Sequence, residues 1–195
     1  MNENVTVINE EVLFSLGALS TIDGAGIKDL KAQARVNKRE RIRLCTHRSI
    51  EDALHEMFIV HSVSTYVRPH KHLNKAVSHH IIEGSVDFVV FDDDGGIIEA
   101  VEMGDYASGK RFYHRTSEPR FYSLIIKSDI AVFHETINGP FHRPDTIFGP
   151  WSPDEDDQAS VVEYMTRLEH PVVRRAWDRN MEPNLPAPIR PTRTG

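Results

Sequence analysis

Tyr66-Val67-Arg68-Pro69-His70-Lys71-His72 is the stretch that decides how this chain is read. Four residues separate His72 from Val77, and six more separate Val77 from Gly84. In an extended strand, side chains two residues apart point to the same face. His70 and His72 therefore project together. Two imidazoles on one face can ligate one metal ion, or they can divide the duties of acid and base. Arg68, two residues earlier, has two readings: a partner for a carboxylate or phosphate on a ligand, or a surface residue of the strand.

On either side of this stretch, short apolar runs alternate with turn signals, the pattern of a sandwich or barrel. The runs are Met57–Val63, Ser78–Ile82, Val86–Phe91, Ile97–Val101, Phe121–Lys127 and Ile130–Glu135. Asp92-Asp93-Asp94-Gly95-Gly96 lies between two of them. Its spacing lacks the later ligands of a calcium loop, so it predicts a hairpin turn, where Asp and Gly tolerate left-handed backbone. An all-β jelly-roll barrel, antiparallel and closed, is expected over residues 42–150.

The flanks look helical. Val12, Leu13, Leu16 and Leu19 predict a helix over Glu10–Leu19, and Ile27–Val36 repeats the spacing after Gly24–Gly26. Together they make residues 1–41 an N-terminal helical extension. Lys38–Arg43 is a basic run, read as solvated surface or as an anion contact. After Gly149-Pro150-Trp151-Ser152-Pro153, a helix is expected over Asp154–Leu168 within residues 151–179. Ser152 would be its cap, and the acidic cluster Asp154–Asp157 would complement its dipole. Residues 180–195 are Pro-rich and polar and are expected to be flexible.

Composition narrows the function classes. The chain has 195 residues, 39% of them apolar, and a net charge of −6. That supports a real core and argues against general nucleic-acid binding, which needs a basic face. The single cysteine, Cys45, closes neither a disulfide nor a cysteine-based zinc site. With His47 on the same strand face it could be a nucleophile, but a small buried side chain is the ordinary role. MNENVTVINEE lacks the basic start and apolar run of a signal peptide. No stretch reaches the roughly 20 apolar residues of a membrane helix. A cytoplasmic protein without membrane contact is expected.

Several motifs resemble one known family in order and spacing. Pro69-His70-Lys71-His72, Val77 and Gly84 keep the spacing of the first cupin motif. Arg43-x-Cys45-x-His47-Arg48-Ser49, Phe91-Asp92-Asp93-Asp94-Gly95, Glu135-x-x-x-Gly139-Pro140-Phe141 and Gly149-Pro150-Trp151-Ser152-Pro153 extend the likeness over roughly residues 40–170. The whole resembles the WbuC family of cupin-fold metalloproteins. That resemblance implies a jelly roll, a divalent metal (zinc, iron, nickel or manganese), a small sugar-like or acidic ligand, work connected with surface polysaccharide, and a homodimer.

The chain departs from that family at its metal ligands. The glutamate slot is Val77, and the second histidine slot is Tyr122. Valine cannot ligate, and a phenol must first lose a proton with a pKa near 10. His79 shares the face of Val77 and is expected to point inward, with His80 outward and Glu135 available to the pocket. Three functions remain open. One is a metal cupin held by His70, His72, His79 and Tyr122. Another is a metal-free isomerase or epimerase with His70, His72 and Tyr122 as proton carriers. The last is a binding protein without catalysis, with Arg68 and Glu135 in its pocket.

Overall fold

A computed structural model describes residues 5–169. Its strands are β1 (Val5–Asn9), β2 (Val12–Ser15), β3 (Arg41–Cys45), β4 (Leu54–Ser62), β5 (His70–His72), β6 (Val77–Glu83), β7 (Ser85–Phe91), β8 (Ile97–Gly104), β9 (Tyr113–Thr116), β10 (Phe121–Ile126), β11 (Ile130–Asn138) and β12 (Thr146–Phe148). Two helices, α1 (Gly24–Ala34) and α2 (Gln158–Glu169), complete it. One sheet has the order β1-β2-β3-β4-β11-β6-β9 and the other β12-β5-β10-β7-β8. From β4 onward the chain repeatedly crosses from one sheet to the other, which is the winding of a double-sheet jelly roll. Among the described residues the sheets remain two, each with its own edges, and are not stitched into one closed barrel. Among the described residues every pairing of these strands is antiparallel except β2 with β3, which is parallel.

Three apolar layers hold this arrangement. Met57, Ile59, Val77, Ile81, Phe88, Leu124 and Phe133 interdigitate between the sheets. On the outer face of the larger sheet, Leu30 and Ala34 of α1 cover Leu13, Ile42, Leu44, Val60 and Val132. On the outer face of the smaller sheet, Val161, Tyr164 and Leu168 of α2 cover Val89, Phe91, Phe121 and Ile125. Each helix presents one apolar stripe to a sheet, which is what its spacing of apolar residues requires. Asp23 caps α1 by accepting from the Gly26 amide at 2.9 Å.

Two expectations for the flanks change. Glu10–Leu19 contains the strand β2, not a helix. Leu13 faces the α1 layer while Val12 and Phe14 face the inner layer. Leu13 is buried on one face and Val12 and Phe14 are half-buried on the other, so its apolar residues satisfy a two-residue period as well as a helical one, and pairing with β3 decides between them. The larger sheet therefore begins at Val5, inside the stretch expected to be a helical extension. At the other end α2 starts at Gln158, later than expected. Ser152 does not cap it: its hydroxyl donates to the Gly149 carbonyl at 2.7 Å. Asp157 takes that role, accepting from the Ser160 amide at 3.1 Å. The parts of the predicted C-terminal helix and tail beyond residue 169 lie outside the described residues.

Asp92–Gly96 is the expected hairpin. Asp92 and Gly96 pair at 2.8 Å, and Gly95 takes φ +88°, a conformation that favours glycine. The Trp151 ring occupies the space a Cβ at Gly95 would need, and its Nε1 donates to the Asp93 carbonyl at 3.0 Å.

Candidate functional site

Strand register builds the site. β5 lies between β10 and β12, so His70 pairs with Tyr122 on one side and Phe148 on the other, and His72 pairs with Thr146. The ring centroids of His70 and His72 are 5.0 Å apart, and Tyr122 sits 4.6 Å from His70. His70 donates Nδ1–H to the Arg68 carbonyl at 2.8 Å. Burial lowers its pKa, so the ring is neutral near pH 7 and its Nε2 carries a lone pair. His72 Nδ1 meets the Thr146 hydroxyl at 3.2 Å, and burial, followed by the neighbouring His70, takes its pKa down to about 4. Tyr122 is 2% exposed and its hydroxyl has no hydrogen-bond partner. Burial, followed by the charge of Glu135, holds that phenol well above its ordinary pKa, so it remains a proton donor.

These groups line one wall of a cavity of about 580 Å³ between the sheets, within the range of small-molecule pockets. β3, β4 and β11 supply the facing wall, with Arg41, Arg43, His61, Phe133 and Glu135. Glu135 accepts from His79 Nε2 at 2.8 Å. Burial alone would raise its pKa, but the His79 hydrogen bond and the imidazoles around it outweigh that and keep the carboxylate ionised. His61 is a half-buried histidine that the sequence did not single out. Its Nδ1 has no partner, its ring is edge-on to Phe133 at 5.2 Å, and burial pushes its pKa down to about 3.

The cavity mouth is heavily charged, with five arginines and five carboxylates among the lining residues. Most are already engaged. Arg39 and Arg41 both clamp Glu11 and Glu155, with Arg41 Nη2 to Glu155 at 3.1 Å. Arg68 pairs with Asp154 at 2.6 Å and lies over the Phe148 ring. It is thus a wall residue bound to a carboxylate of its own chain. Arg43 and Arg143 line the cavity with no ion pair among the described residues. Arg143 stacks over Phe148 at 5.3 Å from the ring centre. Arg43 ends the basic run whose anion-contact reading was left open; alternation along β3 turns it inward together with Arg41 and Cys45.

The expected four-ligand metal set does not assemble. His79 is fully buried, but its Nε2 is held by Glu135 and its Nδ1 by His114 Nε2 at 2.8 Å. Val77 is packed into the inner core. Among the described residues no three His, Cys, Asp or Glu side chains come together to hold an ion. Two imidazoles fall short of the three or four ligands of a resident metal, so the residues present do not fit one. Cys45 is buried, and burial raises its thiol to about 11, which makes it a core residue and no nucleophile.

A family model described as a domain of unknown function (DUF6016) matches residues 22–103. No curated protein matches the chain. Among solved structures, protein SO0799 from Shewanella oneidensis is 11% identical over 68% of this chain and 83% of that one, with a TM-score of 0.48. Bacillus subtilis oxalate decarboxylase, a protein with Mn(II) centres, is 14% identical over 50% of this chain, with a TM-score of 0.40. CapF, solved with the inhibitor 3-isopropenyl-tropolone, is 15% identical over 58% of this chain, with a TM-score of 0.47. The chain spans only 24% of that decarboxylase and 32% of CapF. Likenesses this distant carry nothing about chemistry; it is the order of the chain's own strands in two facing sheets that makes it a jelly roll.

Proposed function

We propose that this protein binds a small hydroxylated carboxylic acid in the inter-sheet cavity and moves a proton on it without a resident metal. The observation that carries this reading is the Tyr122 hydroxyl, buried and unpartnered beside a neutral His70. Such a group costs stability unless a ligand satisfies it. Arg43 and Arg143 receive the ligand carboxylate, since guanidinium groups match that geometry. Glu135 and Asp156 accept from ligand hydroxyls. The bare Nε2 of His70 is the base for a proton beside a carbonyl, and Tyr122 is the acid that returns one.

Titration with gluconate and galacturonate, followed by calorimetry, tests binding. Deuterium uptake into bound acid, read by proton NMR, tests proton transfer. Arg43→Ala is expected to weaken binding at least tenfold. If neither acid binds, or Arg43→Ala binds as tightly as the parent, the reading fails. Metal analysis of the same protein decides the alternative. About one zinc, iron, nickel or manganese ion per chain, lost in His70→Ala, would replace this reading with a metal-centred one. The free Nε2 atoms of His70 and His72 are the observation that favours that alternative.

A further inference from the structure

Glu135, His79 and His114 stand in one row across three neighbouring strands. Glu135 on β11 pairs in register with His79 on β6, and His79 pairs with His114 on β9. All three side chains therefore point between the sheets. They are joined end to end, Glu135 Oε2 to His79 Nε2 at 2.8 Å and His79 Nδ1 to His114 Nε2 at 2.8 Å. Glu135 lines the cavity. His79 is fully buried, enclosed by the rings of Phe88, Tyr122 and Phe133. His114 lies on the edge strand of the larger sheet and is half-buried, its ring against Phe88 at 3.7 Å. A histidine used only for packing would not need both of its nitrogens bonded to ionisable groups in adjacent strands.

We infer that Glu135–His79–His114 is a proton relay that connects the cavity to the outside of the protein at β9, behind the ligand. The inference rests on the acid–base reading of the cavity, to which it adds a role for Glu135 beyond accepting from ligand hydroxyls: exchanging protons when a ligand fills the mouth. In one state the carboxylate is ionised and each ring carries its proton on Nε2. A solvent proton then binds His114 Nδ1, the His114 Nε2 proton crosses to His79 Nδ1, and the His79 Nε2 proton passes to Glu135 Oε2. In the second state the carboxyl is neutral and each ring carries its proton on Nδ1. Running the steps backward returns a proton to solvent and restores the first state. One proton enters and one leaves, with no other reactant.

The relay is tested on the free full-length protein by NMR with 15N-labelled histidine, reading exchange of the His79 Nε2 proton with solvent. His114→Gln can still hydrogen-bond His79 but cannot pass a proton, and it is expected to slow that exchange at least tenfold. His114→Phe keeps the ring contact with Phe88, and the same slowing is expected there. A packing role predicts the opposite sign, because a loosened core exchanges faster. An unchanged or faster rate in the variants that fold overturns the relay. Since no ligand is present, the outcome is independent of gluconate or galacturonate binding: slowed exchange without binding of either acid would keep the relay and remove the proposed function.

Discussion

Lowering the pH from 7 to 5 is expected to remove several kcal/mol of stability from this protein. His61, His72 and His114 are buried or half-buried, and burial takes them down to about 3, 4 and 3. In the unfolded chain each returns to about 6.5. A depressed native pKa means the unfolded state binds protons that the native state refuses. Stability is therefore complete above about pH 6.5 and falls as the pH drops toward the native values. Each group contributes up to ~1.4 kcal/mol per pH unit in that window. Three acting together give a ceiling of about 4 kcal/mol per unit, softened because His72 and His114 are partly exposed. That is comparable with the whole stability of an ordinary domain, about 5–15 kcal/mol. Glu135 adds a second, lower window. Its folded pKa is depressed, so its contribution is intact above about pH 4.5 and lost as the pH falls further. Urea midpoints at pH 7, 6 and 5 read the first window directly, and His61→Leu should lower the pH slope by about one proton. A midpoint that stays constant from pH 7 to 5 would mean that these rings titrate normally and are not enclosed as described.

What the sequence made legible follows from how local each signal is. The His70–His72 pair could be read because two-residue spacing acts within one strand. His79 could be placed inward because it shares parity with Val77, and Tyr122 because a motif put it in a ligand slot. The orientation of Arg43 needed only the knowledge that its segment is a strand. Partners across strands were another matter. His114 lies 35 residues from His79 in sequence, on a four-residue strand with no apolar run to announce it. Thr146 and Phe148 sit on a strand of three residues. Nothing short of the sheet register brings these to His72 and His70. The metal set His70, His72, His79 and Tyr122 meets the same limit. Inward orientation was correct for His79, but which ring nitrogen remains free depends on what the neighbouring strands place beside it. The misread helix at Glu10–Leu19 shows the limit of periodicity, since four apolar residues fit a helix until a parallel partner strand pairs with the segment and sets Leu13 and its neighbours Val12 and Phe14 on opposite faces.

Tyr122→Phe is expected to make the protein more stable and less able to bind its ligand. The Tyr122 ring packs against His70 and Phe88, at 4.6 and 5.2 Å between centroids, and phenylalanine keeps those contacts. Only the hydroxyl is lost, and in the free protein it is buried without a partner. Burying a hydroxyl without a hydrogen bond costs about 1–3 kcal/mol, so its removal should raise stability by ~1 kcal/mol or more. A protein that tolerates such a group has a use for it, because sites for ligands commonly reduce stability. In the complex the balance reverses: the hydroxyl donates to the ligand, and the phenylalanine variant leaves a ligand oxygen unmatched. Loss of that bond is expected to weaken gluconate or galacturonate binding by tenfold or more, about 1.4 kcal/mol, and to remove deuterium uptake into the ligand. The two shifts have opposite signs, which a general disturbance of the core cannot produce. A variant less stable than the parent by 1 kcal/mol would show that water or a neighbour already satisfies the hydroxyl. A variant with unchanged affinity would reduce Tyr122 to a packing residue and leave the proposed proton chemistry of the cavity without its acid.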